Sequence, residues 1–235
     1  MIIEICANSF ASAQAAQAAG AHRIELCTQL SVGGLTPSYG CIEKVLKELD
    51  IDVHVLIRPR AGDFIYTNQE LDIMKRDIAY CVKIGCAGIV SGALNAQNAL
   101  NLQATQELIT ASAGLEFTFH RAFDVVGDPI KTLASLQNLG VTRVLSSGQH
   151  VKAIDGIEVL KKLKSSTGNI QIMPGGGIDI TNARVFKKAG FKMIHFSAIS
   201  KVISAKSTTA VSFIEGTEGT SNQYVISEII DTLRT

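Results

Sequence analysis

The feature that most constrains the fold is a unit that recurs along the chain: a short apolar run, then polar residues and glycines, then a helix-like segment. Eight apolar runs have the character of strands: Ile2–Cys6, Arg23–Cys27, Val53–Arg58, Ala87–Ser91, Leu115–His120, Arg143–Ser146, Ile170–Met173 and Lys192–Phe196. Parallel strands need crossover helices, and eight βα units in a chain of this length predict an α/β protein with a (β/α)8, or TIM, barrel. A doubly wound sheet stays open as an alternative, because the number of strands does not prove that the sheet closes.

Glycines mark the ends of the helix-like segments between these strands. Such segments are rich in Ala, Leu, Lys and Gln, as in Ala11–Ala19, Ser38–Leu49, Asn68–Ile84 and Asn182–Ala189. Gly20, Gly85, Gly140 and Gly190 each follow such a segment, where the left-handed backbone that ends a helix favours glycine. The repetition of this turn indicates one architecture built from like units.

The chain is expected to form a single domain over residues 1–235. With 235 residues, 46% of them hydrophobic, it is long enough to bury one core, and no linker divides it before about Lys201. Residues 201–222 are rich in Ser, Thr and Gly, which predicts a long loop. Residues 223–233 then predict a closing C-terminal helix.

Charge and cysteine content exclude several classes of protein. The net charge is +1 and charges of both signs are mixed, so no nucleic-acid partner is expected. An apolar run of about 18 residues would be needed to cross a membrane, and none is present. The N-terminus also lacks the layout of a signal peptide. The five cysteines are odd in number and lack zinc-type spacing, which favours reduced thiols in a cytoplasmic protein.

Strand alternation predicts which side chains face the interior of the barrel. The helix-facing set must be apolar, so the polar set points inward, and that set includes Glu4, Glu25, Arg58, His120 and His195. Buried charges are costly unless paired, so we expect an ion-paired network. A structural role is favoured for Glu4, near the start of its strand. A catalytic role is favoured for Arg58, His120 and His195, because barrel active sites lie at the C-terminal mouth.

Two loops that follow strands carry further candidates. The segment Ile57–Phe64 (IRPRAGDF) adds Arg60 and Asp63 to Arg58, and the segment Phe119–Asp124 (FHRAFD) adds Arg121 and Asp124 to His120. Arginines bind carboxylates or phosphates through paired hydrogen bonds, and histidine with a carboxylate supplies proton transfer. We therefore predict an anion-binding, catalytic mouth in which the acid–base candidates are Glu25, Asp63, His120, Asp124 and His195.

The glycine-rich loop after the seventh strand has two interpretations. Gly175, Gly176 and Gly177 offer backbone N–H groups to an anion, at the usual phosphate location of a barrel, and Ser197 follows the eighth strand nearby. The same glycines are also expected in a tight turn that binds nothing. Both interpretations stay open.

Cys6 and Cys27 are candidate metal ligands. They end the near copies Glu4-Ile5-Cys6 and Glu25-Leu26-Cys27, which predicts that they lie side by side on neighbouring strands, facing inward near the mouth. Strands about 4.8 Å apart bring two thiolates close enough to share one soft ion such as Cu(I). The alternative is that each cysteine is a small buried hydrophobe.

Several long motifs now identify a family. Ile24–Cys27, Gly33–Ser38, Ile57–Phe64, Thr118–Asp124 and Met173–Gly177 resemble, in the same order, the motifs of the CutC copper-homeostasis family. The resemblance runs from residue 3 to about residue 198. It implies a cytoplasmic TIM-barrel protein, a homo-oligomer (dimer or larger), with a Cu(I) site at cysteines placed like Cys6 and Cys27. Ala61 departs from the glycine usual at its position, which would stiffen the loop.

Two functional hypotheses follow, and whether the chain is an enzyme stays open. The resemblance implies a copper-binding protein that takes part in copper homeostasis. The residues at the mouth favour a lyase, isomerase or hydrolase that acts on a small anionic metabolite, sugar-derived or phosphorylated. In that enzyme His120 or Glu25 would be the base, and Arg58 and Arg60 would bind the anion. A scaffold without chemistry would leave the polar mouth unexplained.

Overall fold

Eight parallel strands alternate with helices in the computed structural model, which describes residues 1–200 and 219–234. The strands are β1 (Ile2–Ala7), β2 (Arg23–Leu26), β3 (Asp52–Leu56), β4 (Gly88–Ser91), β5 (Glu116–Phe119), β6 (Arg143–Ser146), β7 (Gln171–Pro174) and β8 (Met193–Phe196). The helices are α1 (Phe10–Ala18), α2 (Tyr39–Glu48), α3 (Asn68–Ile84), α4 (Leu102–Ala111), α5 (Pro129–Asn138), α6 (Ile157–Ser165), α7 (Ala183–Lys188) and α8 (Gln223–Arg234). The predicted strands are therefore confirmed within one or two residues at each end.

The sheet curls into a barrel rather than an open layer. Strands pair in the order β7-β6-β5-β4-β3-β2-β1-β8, so the first strand lies beside the last. A parallel bridge between Gly175 and His195 joins the two remaining edges. A doubly wound sheet would place its first strand in the middle and leave its edges apart. The (β/α)8 prediction is confirmed.

Local sequence signals begin and end the helices. Ser9, Ser38, Asn101 and Asp128 cap α1, α2, α4 and α5 with their side chains, while Thr67 and Glu70 form a reciprocal capping box at α3. The four glycines predicted at helix ends all have positive φ, for example +84° at Gly85. These turns return the chain to the bottom of the barrel for the next strand.

Strand alternation separates two apolar layers, as the sequence predicts. The large layer lies between sheet and helices and contains the outward residues of the strands, such as Ile5, Leu26 and Phe117. Two small clusters lie inside the barrel: one holds Cys6, Cys27, Leu56 and Val90, and the other holds Leu145, Met173 and Met193. Polar side chains occupy the interior between and around these clusters.

An ion-paired network spans the lower half of the interior. Arg23 pairs with Glu4 and lies 3.9 Å from Glu116, and Arg143 also pairs with Glu116. His54 Nε2 lies 3.3 Å from the same Glu116 carboxylate. Pairing offsets the cost of burying these charges, so the structural role predicted for Glu4 and Arg23 agrees with their surroundings.

The C-terminal segment closes the barrel as predicted. Helix α8 packs near α1 and α7, and Ser221 N donates to Ser12 Oγ in α1 at 2.9 Å. The predicted loop at 201–222 falls mostly on residues 201–218, which lie outside the described residues. Within the described part of the chain, no helix has the length and apolar character needed to cross a membrane. The assignment of residues 1–235 to one domain stays a prediction.

Candidate functional site

A cavity of about 460 Å³ opens at the C-terminal mouth of the barrel. It is lined by residues that end strands or begin the loops after them, which is the location expected for a barrel active site. The predicted site residues that line it are Cys6, Glu25, Arg58, His120, Arg121, Gly176, Gly177, His195 and Ser197. The volume is in the range of small-molecule sites.

Arg58 is buried at this cavity with its charge unneutralised. Its guanidinium donates to three backbone carbonyls, those of Val32 (2.8 Å), Gly34 (2.9 Å) and Gly62 (2.8 Å). The ring of Phe64 lies 5.0 Å from the guanidinium, and Arg58 Nε has no hydrogen-bond partner in the part of the chain that the structure describes. No carboxylate of the described residues forms an ion pair with it. A buried cation without a counterion favours an anionic ligand.

His120 is held as a neutral imidazole beside Arg58. Burial, together with the positive charge of Arg58, lowers the pKa of His120 to about 3. Its Nδ1 accepts a hydrogen bond from the N–H of Ala122 at 3.3 Å, so the proton of the neutral ring lies on Nε2. Nε2 has no partner among the described residues, and the ring packs 4.8 Å from Phe64. The side chain therefore carries an N–H donor available for a ligand.

Glu4, His195 and Glu25 form a buried group on three neighbouring strands. His195 Nδ1 lies 2.8 Å from Glu4 Oε1 and 3.8 Å from Glu25 Oε2. Although burial opposes ionisation of Glu4, its hydrogen bond from His195 and the charge of Arg23 hold its pKa well below the usual range.

The other two members of this group, His195 and Glu25, both have raised pKa values. Burial lowers the pKa of His195, but the hydrogen bond to Glu4 and the charge of Glu25 outweigh it and leave a net increase. Burial raises the pKa of Glu25 to about 7, and none of the described residues forms a hydrogen bond with Glu25 Oε2. A carboxyl group with this pKa exchanges protons near neutral pH.

The two inner cysteines lie side by side, and Cys6 lines the same cavity. The Sγ atoms of Cys6 and Cys27 are 3.7 Å apart, as strand alternation predicts. The hydrogen bond with Cys27, burial and the nearby carboxylates all raise the pKa of the Cys6 thiol. Both thiols are free, so the geometry allows one ion to contact both.

The other three cysteines lie away from the cavity. Cys41, Cys81 and Cys86 fall on α2, on α3 and just after α3.

Arg60 and Asp63 do not reach the cavity. Arg60 donates to Glu70 Oε1 at 2.5 Å, to Asp63 Oδ1 at 2.9 Å and to the carbonyl of Ile65 at 2.7 Å. Both side chains are exposed and fix the course of the loop between β3 and α3. The structure therefore separates them from the Arg58–His120 pair with which the sequence groups them.

Asp124 organises the loop after β6 instead of lining the cavity. Its carboxylate accepts hydrogen bonds from Ser146 Oγ (2.6 Å), Ser147 N (3.0 Å) and Gln149 N (3.3 Å). It also accepts from Arg121 Nε at 2.8 Å, which orients the Arg121 guanidinium at the cavity wall. Asp124 is thus a positioning residue for Arg121.

The glycine-rich loop combines turn geometry with a place at the cavity. Gly176 and Gly177 have φ angles of +107° and +67°, and both line the cavity. A Cβ atom on Gly176 would lie 3.3 Å from Arg121 Nη1. Gly175 forms the bridge to His195 that closes the barrel. The geometry explains why glycine stands here, while the predicted anion-binding role of the loop stays a prediction.

The hydrophobic residues of the cavity wall that sequence reasoning missed include Leu30, Val32 and Phe64. Leu30 and Val32 belong to a 3-10 turn, Leu30–Val32, that covers the mouth after β2, and no periodic pattern marks such a turn. Phe64 ends the IRPRAGDF motif, and its contacts with Arg58 and His120 depend on the path of the loop. Strand alternation could have found Arg143, whose side chain belongs to the lower ion-paired network.

Comparisons with known proteins agree with the motifs. The family model of the CutC family matches residues 1–200. The CutC family protein of Xanthomonas campestris pv. campestris (strain 8004) is 44% identical over 200 residues, covering 84% of this chain and 83% of that protein. The CutC family protein of Glaesserella parasuis serovar 5 (strain SH0165) is 40% identical over 233 residues, covering 98% of this chain and 94% of that protein.

A solved structure agrees as well. The crystal structure of CutC from Streptococcus agalactiae, named for a proposed role in copper homeostasis, has a TM-score of 0.79 and 36% identity. The match covers 84% of this chain and 98% of that chain. The motifs, the barrel and the relatives thus lead to one conclusion: the chain belongs to the CutC family.

Proposed function

We propose that this protein is an enzyme that moves a proton at a carbon next to the carbonyl group of a small anionic metabolite. The observation that carries the proposal is that Arg58, His120 and Glu25 line one cavity, each with a buried polar atom that has no partner within residues 1–200 and 219–234. Proton transfer of this kind belongs to lyases and isomerases. It needs an anion-binding group, a donor to the carbonyl oxygen and a base, and these three residues match those needs.

Each residue has a role that follows from its surroundings. The unneutralised charge of Arg58 binds the carboxylate or phosphate of the substrate, assisted by Arg121. Neutral His120 donates from Nε2 to the carbonyl oxygen; a neutral donor avoids placing a second full charge beside Arg58. Glu25, with a pKa of about 7, removes the proton from carbon. His195, held by Glu4, lies 3.8 Å from Glu25 and stabilises its carboxylate.

Exchange of carbon-bound hydrogen tests this proposal. Small 2-oxo acids and phosphorylated ketoses are incubated with the protein in deuterium oxide, and loss of the hydrogen next to the carbonyl is followed by NMR. We expect exchange with at least one of these compounds, lost in Glu25→Gln while calorimetry still detects binding of the compound. Exchange that persists unchanged in Glu25→Gln, or binding of none of these anions, would contradict the proposal.

Two arginines provide a matched comparison for the anion site. Arg58→Gln should weaken binding of the anionic compound about tenfold or more, because a charged hydrogen-bonding partner is removed. Arg60→Gln should change it less than about twofold, because Arg60 is bound to Glu70 and Asp63 away from the cavity. Circular dichroism of Arg58→Gln and of Arg58→Lys checks that the barrel stays folded. Equal effects of the Arg58 and Arg60 substitutions would contradict the assignment.

A specific observation also favours a second function, binding of Cu(I). The Sγ atoms of Cys6 and Cys27 lie 3.7 Å apart, which is less than twice a metal–thiolate bond of about 2.3 Å. One soft ion could therefore contact both sulfurs, and Cu(I) prefers thiolates. The donor set fits the metal that the family name implies, and both thiols would lose their protons on binding. Copper homeostasis would then be the biological role.

An anaerobic Cu(I) titration against a competing chelator tests the second function. Wild type should bind one Cu(I) tightly, and the Cys6→Ala/Cys27→Ala double variant should lose that binding. Cys41→Ala is the matched control, because Cys41 is half-buried on α2 and does not line the cavity. Cu(I) binding that persists in the double variant would show that Cys6 and Cys27 are not the copper ligands.

We further infer a cytoplasmic homo-oligomer, dimer or larger. Support comes from the family resemblance and from five cysteines that form no disulfide, as expected of a reducing compartment. Light scattering coupled to gel filtration measures the oligomeric state directly. A monomer at micromolar concentration would contradict the inference.

A further inference from the structure

A second group of potential metal ligands overlaps the thiol pair without being identical to it. One ligand atom each from Cys6, Glu25 and His195 lies within 4.8 Å of the other two. All three residues are more than nine-tenths buried, and they stand on the adjacent strands β1, β2 and β8. We propose that these three side chains bind a divalent ion of the zinc class at the floor of the cavity.

The donor set selects the kind of ion. A thiolate, an imidazole and a carboxylate are ligands that Zn²⁺ accepts together, and three protein ligands with an open fourth position are the arrangement of catalytic zinc sites. Cu(I) instead prefers a set made of thiolates, as in the Cys6–Cys27 pair. Glu25 and His195 therefore distinguish the divalent site from the copper site, while Cys6 is common to both.

An orphaned buried atom points to a ligand at this place. Glu25 Oε2 is buried and has no hydrogen-bond partner among the described residues. Leaving such an oxygen unsatisfied is costly, so native structures rarely keep one without a water, an ion or a substrate to bind it. A metal ion coordinated by Glu25 would satisfy it.

The neighbours of His195 are those expected of a metal-binding histidine. Its Nδ1 lies 2.8 Å from Glu4 Oε1, so Nε2 is the nitrogen left for a metal. Glu4 is held in turn by Arg23, which fixes the carboxylate. A carboxylate that binds the far nitrogen of a ligand histidine orients the ring and strengthens it as a donor. The structure thus contains a carboxylate that orients the proposed ligand histidine, in addition to the three proposed ligands.

Binding balances charge in a simple way. The ion displaces the proton of the Cys6 thiol and any proton on Glu25 or on His195 Nε2, and all of these go to solvent. The thiolate and the carboxylate then neutralise its two positive charges. Its open position would face the cavity that Arg58 and His120 also line, where a divalent ion polarises a carbonyl oxygen. While Glu25 binds the ion it cannot be the base of the proposed function, so the metal-bound state is an alternative to that proton transfer, and the binding site stands without it.

Titration of the metal-free protein with Co²⁺ tests the site, because Co²⁺ replaces zinc and reports a thiolate ligand through charge-transfer absorption. We expect one Co²⁺ per chain with such a band, and its displacement by Zn²⁺. Cys6→Ser should abolish the band. Glu25→Gln and His195→Gln should weaken Co²⁺ binding by about tenfold or more, and Glu4→Gln, which removes the outer carboxylate, by about tenfold to a hundredfold.

Cys27→Ser is the matched control, since it removes a thiol from the copper pair and leaves the three proposed ligands. It should keep the Co²⁺ band while Cu(I) affinity falls. Thermal unfolding of each variant identifies any that fails to fold, and Glu25→Gln is nearly isosteric. The proposal is overturned by absence of a charge-transfer band in wild type, or by a band that Cys27→Ser removes and Glu25→Gln leaves intact. The Co²⁺ titration contains no anionic substrate. A negative result therefore overturns the metal site alone, and the deuterium-exchange experiment tests the proposed function separately.

Discussion

His195 Nδ1 lies 2.8 Å from Glu4 Oε1 across the junction where β8 meets β1. The two residues are register partners, and the contact joins the cavity at the mouth to the ion-paired network below, because Glu4 also pairs with the buried Arg23. One carboxylate therefore serves both the support of the site and the stability of the barrel. The first prediction follows from this double role.

Glu4→Gln should lower the free energy of unfolding by about 3–5 kcal/mol, because buried Arg23 loses its close partner and keeps only the carboxylate of Glu116 at 3.9 Å. Urea denaturation measures the change. The control is Glu48→Gln, which breaks an exposed pair with Lys44 and should change stability by less than about 1 kcal/mol. Similar losses of unfolding free energy in the two variants would show that the buried Glu4–Arg23 pair stabilises the fold no more than the exposed pair does.

The depressed pKa of His120 predicts a pH dependence of stability. His120 stays neutral in the fold down to about pH 3, while an unfolded histidine takes up a proton near pH 6.5. Between these values the unfolded state binds more protons, so the contribution of His120 is present above pH 6.5 and is lost as pH falls toward 3. The loss at the acid end is on the order of 4 kcal/mol.

The His120→Gln variant isolates this contribution. Denaturation of wild type and variant between about pH 7 and pH 4 should give a difference that shrinks as pH falls, since the variant lacks the titrating ring. Other titrating groups act on both proteins and cancel in the difference. A difference that does not vary with pH would mean that the pKa of His120 is the same in the folded and unfolded states.

Gly34→Ala should destabilise the protein more than a glycine substitution with the same backbone requirement. A Cβ atom at Gly34 would meet Leu56 Cδ2 at 2.6 Å, at a φ of +89°. Gly20 has a similar φ of +82° and no atom within 4 Å of such a Cβ. Gly20→Ala therefore measures the backbone penalty of roughly 1–2 kcal/mol, and the excess loss at Gly34, about 1–3 kcal/mol, measures overpacking. Equal losses would mean that Leu56 moves aside without cost.

Asp124→Asn should lower stability by about 2 kcal/mol, because the carboxylate accepts hydrogen bonds from several groups of the loop after β6. It should also weaken anion binding modestly, since Arg121 loses the partner that orients it. Asp63→Asn is the comparison, because Asp63 is exposed and bound only within its own loop. Chemical denaturation and calorimetry give the two readouts. The assignment of Asp124 as a positioning residue would be wrong if Asp63→Asn had the larger effect on both.

The repeat of strand, turn and helix was enough to predict the barrel, because glycines at helix ends and alternation in strands are local signals. Strand alternation also predicted that Glu25 and His195 face inward and that Cys6 lies beside Cys27, as the structure has them. It could not separate Arg58 from Arg60, which stand two residues apart after one strand. Where each arginine side chain lies depends on a loop without periodicity. In that loop Pro59 separates the two arginines, and Glu70 on α3 forms an ion pair with Arg60. The pKa shifts of Glu25 and His120 were equally beyond reach, since they come from burial and neighbours that only the fold creates.

The three carbonyl contacts of Arg58 join two loops that come from different strands. Val32 and Gly34 belong to the loop after β2, and Gly62 belongs to the loop after β3. If either loop alone were exchanged for that of another barrel, the buried guanidinium of Arg58 would lose hydrogen-bond acceptors. Grafting experiments on this scaffold must therefore transplant both loops as a pair, and natural variation in one is constrained by the other.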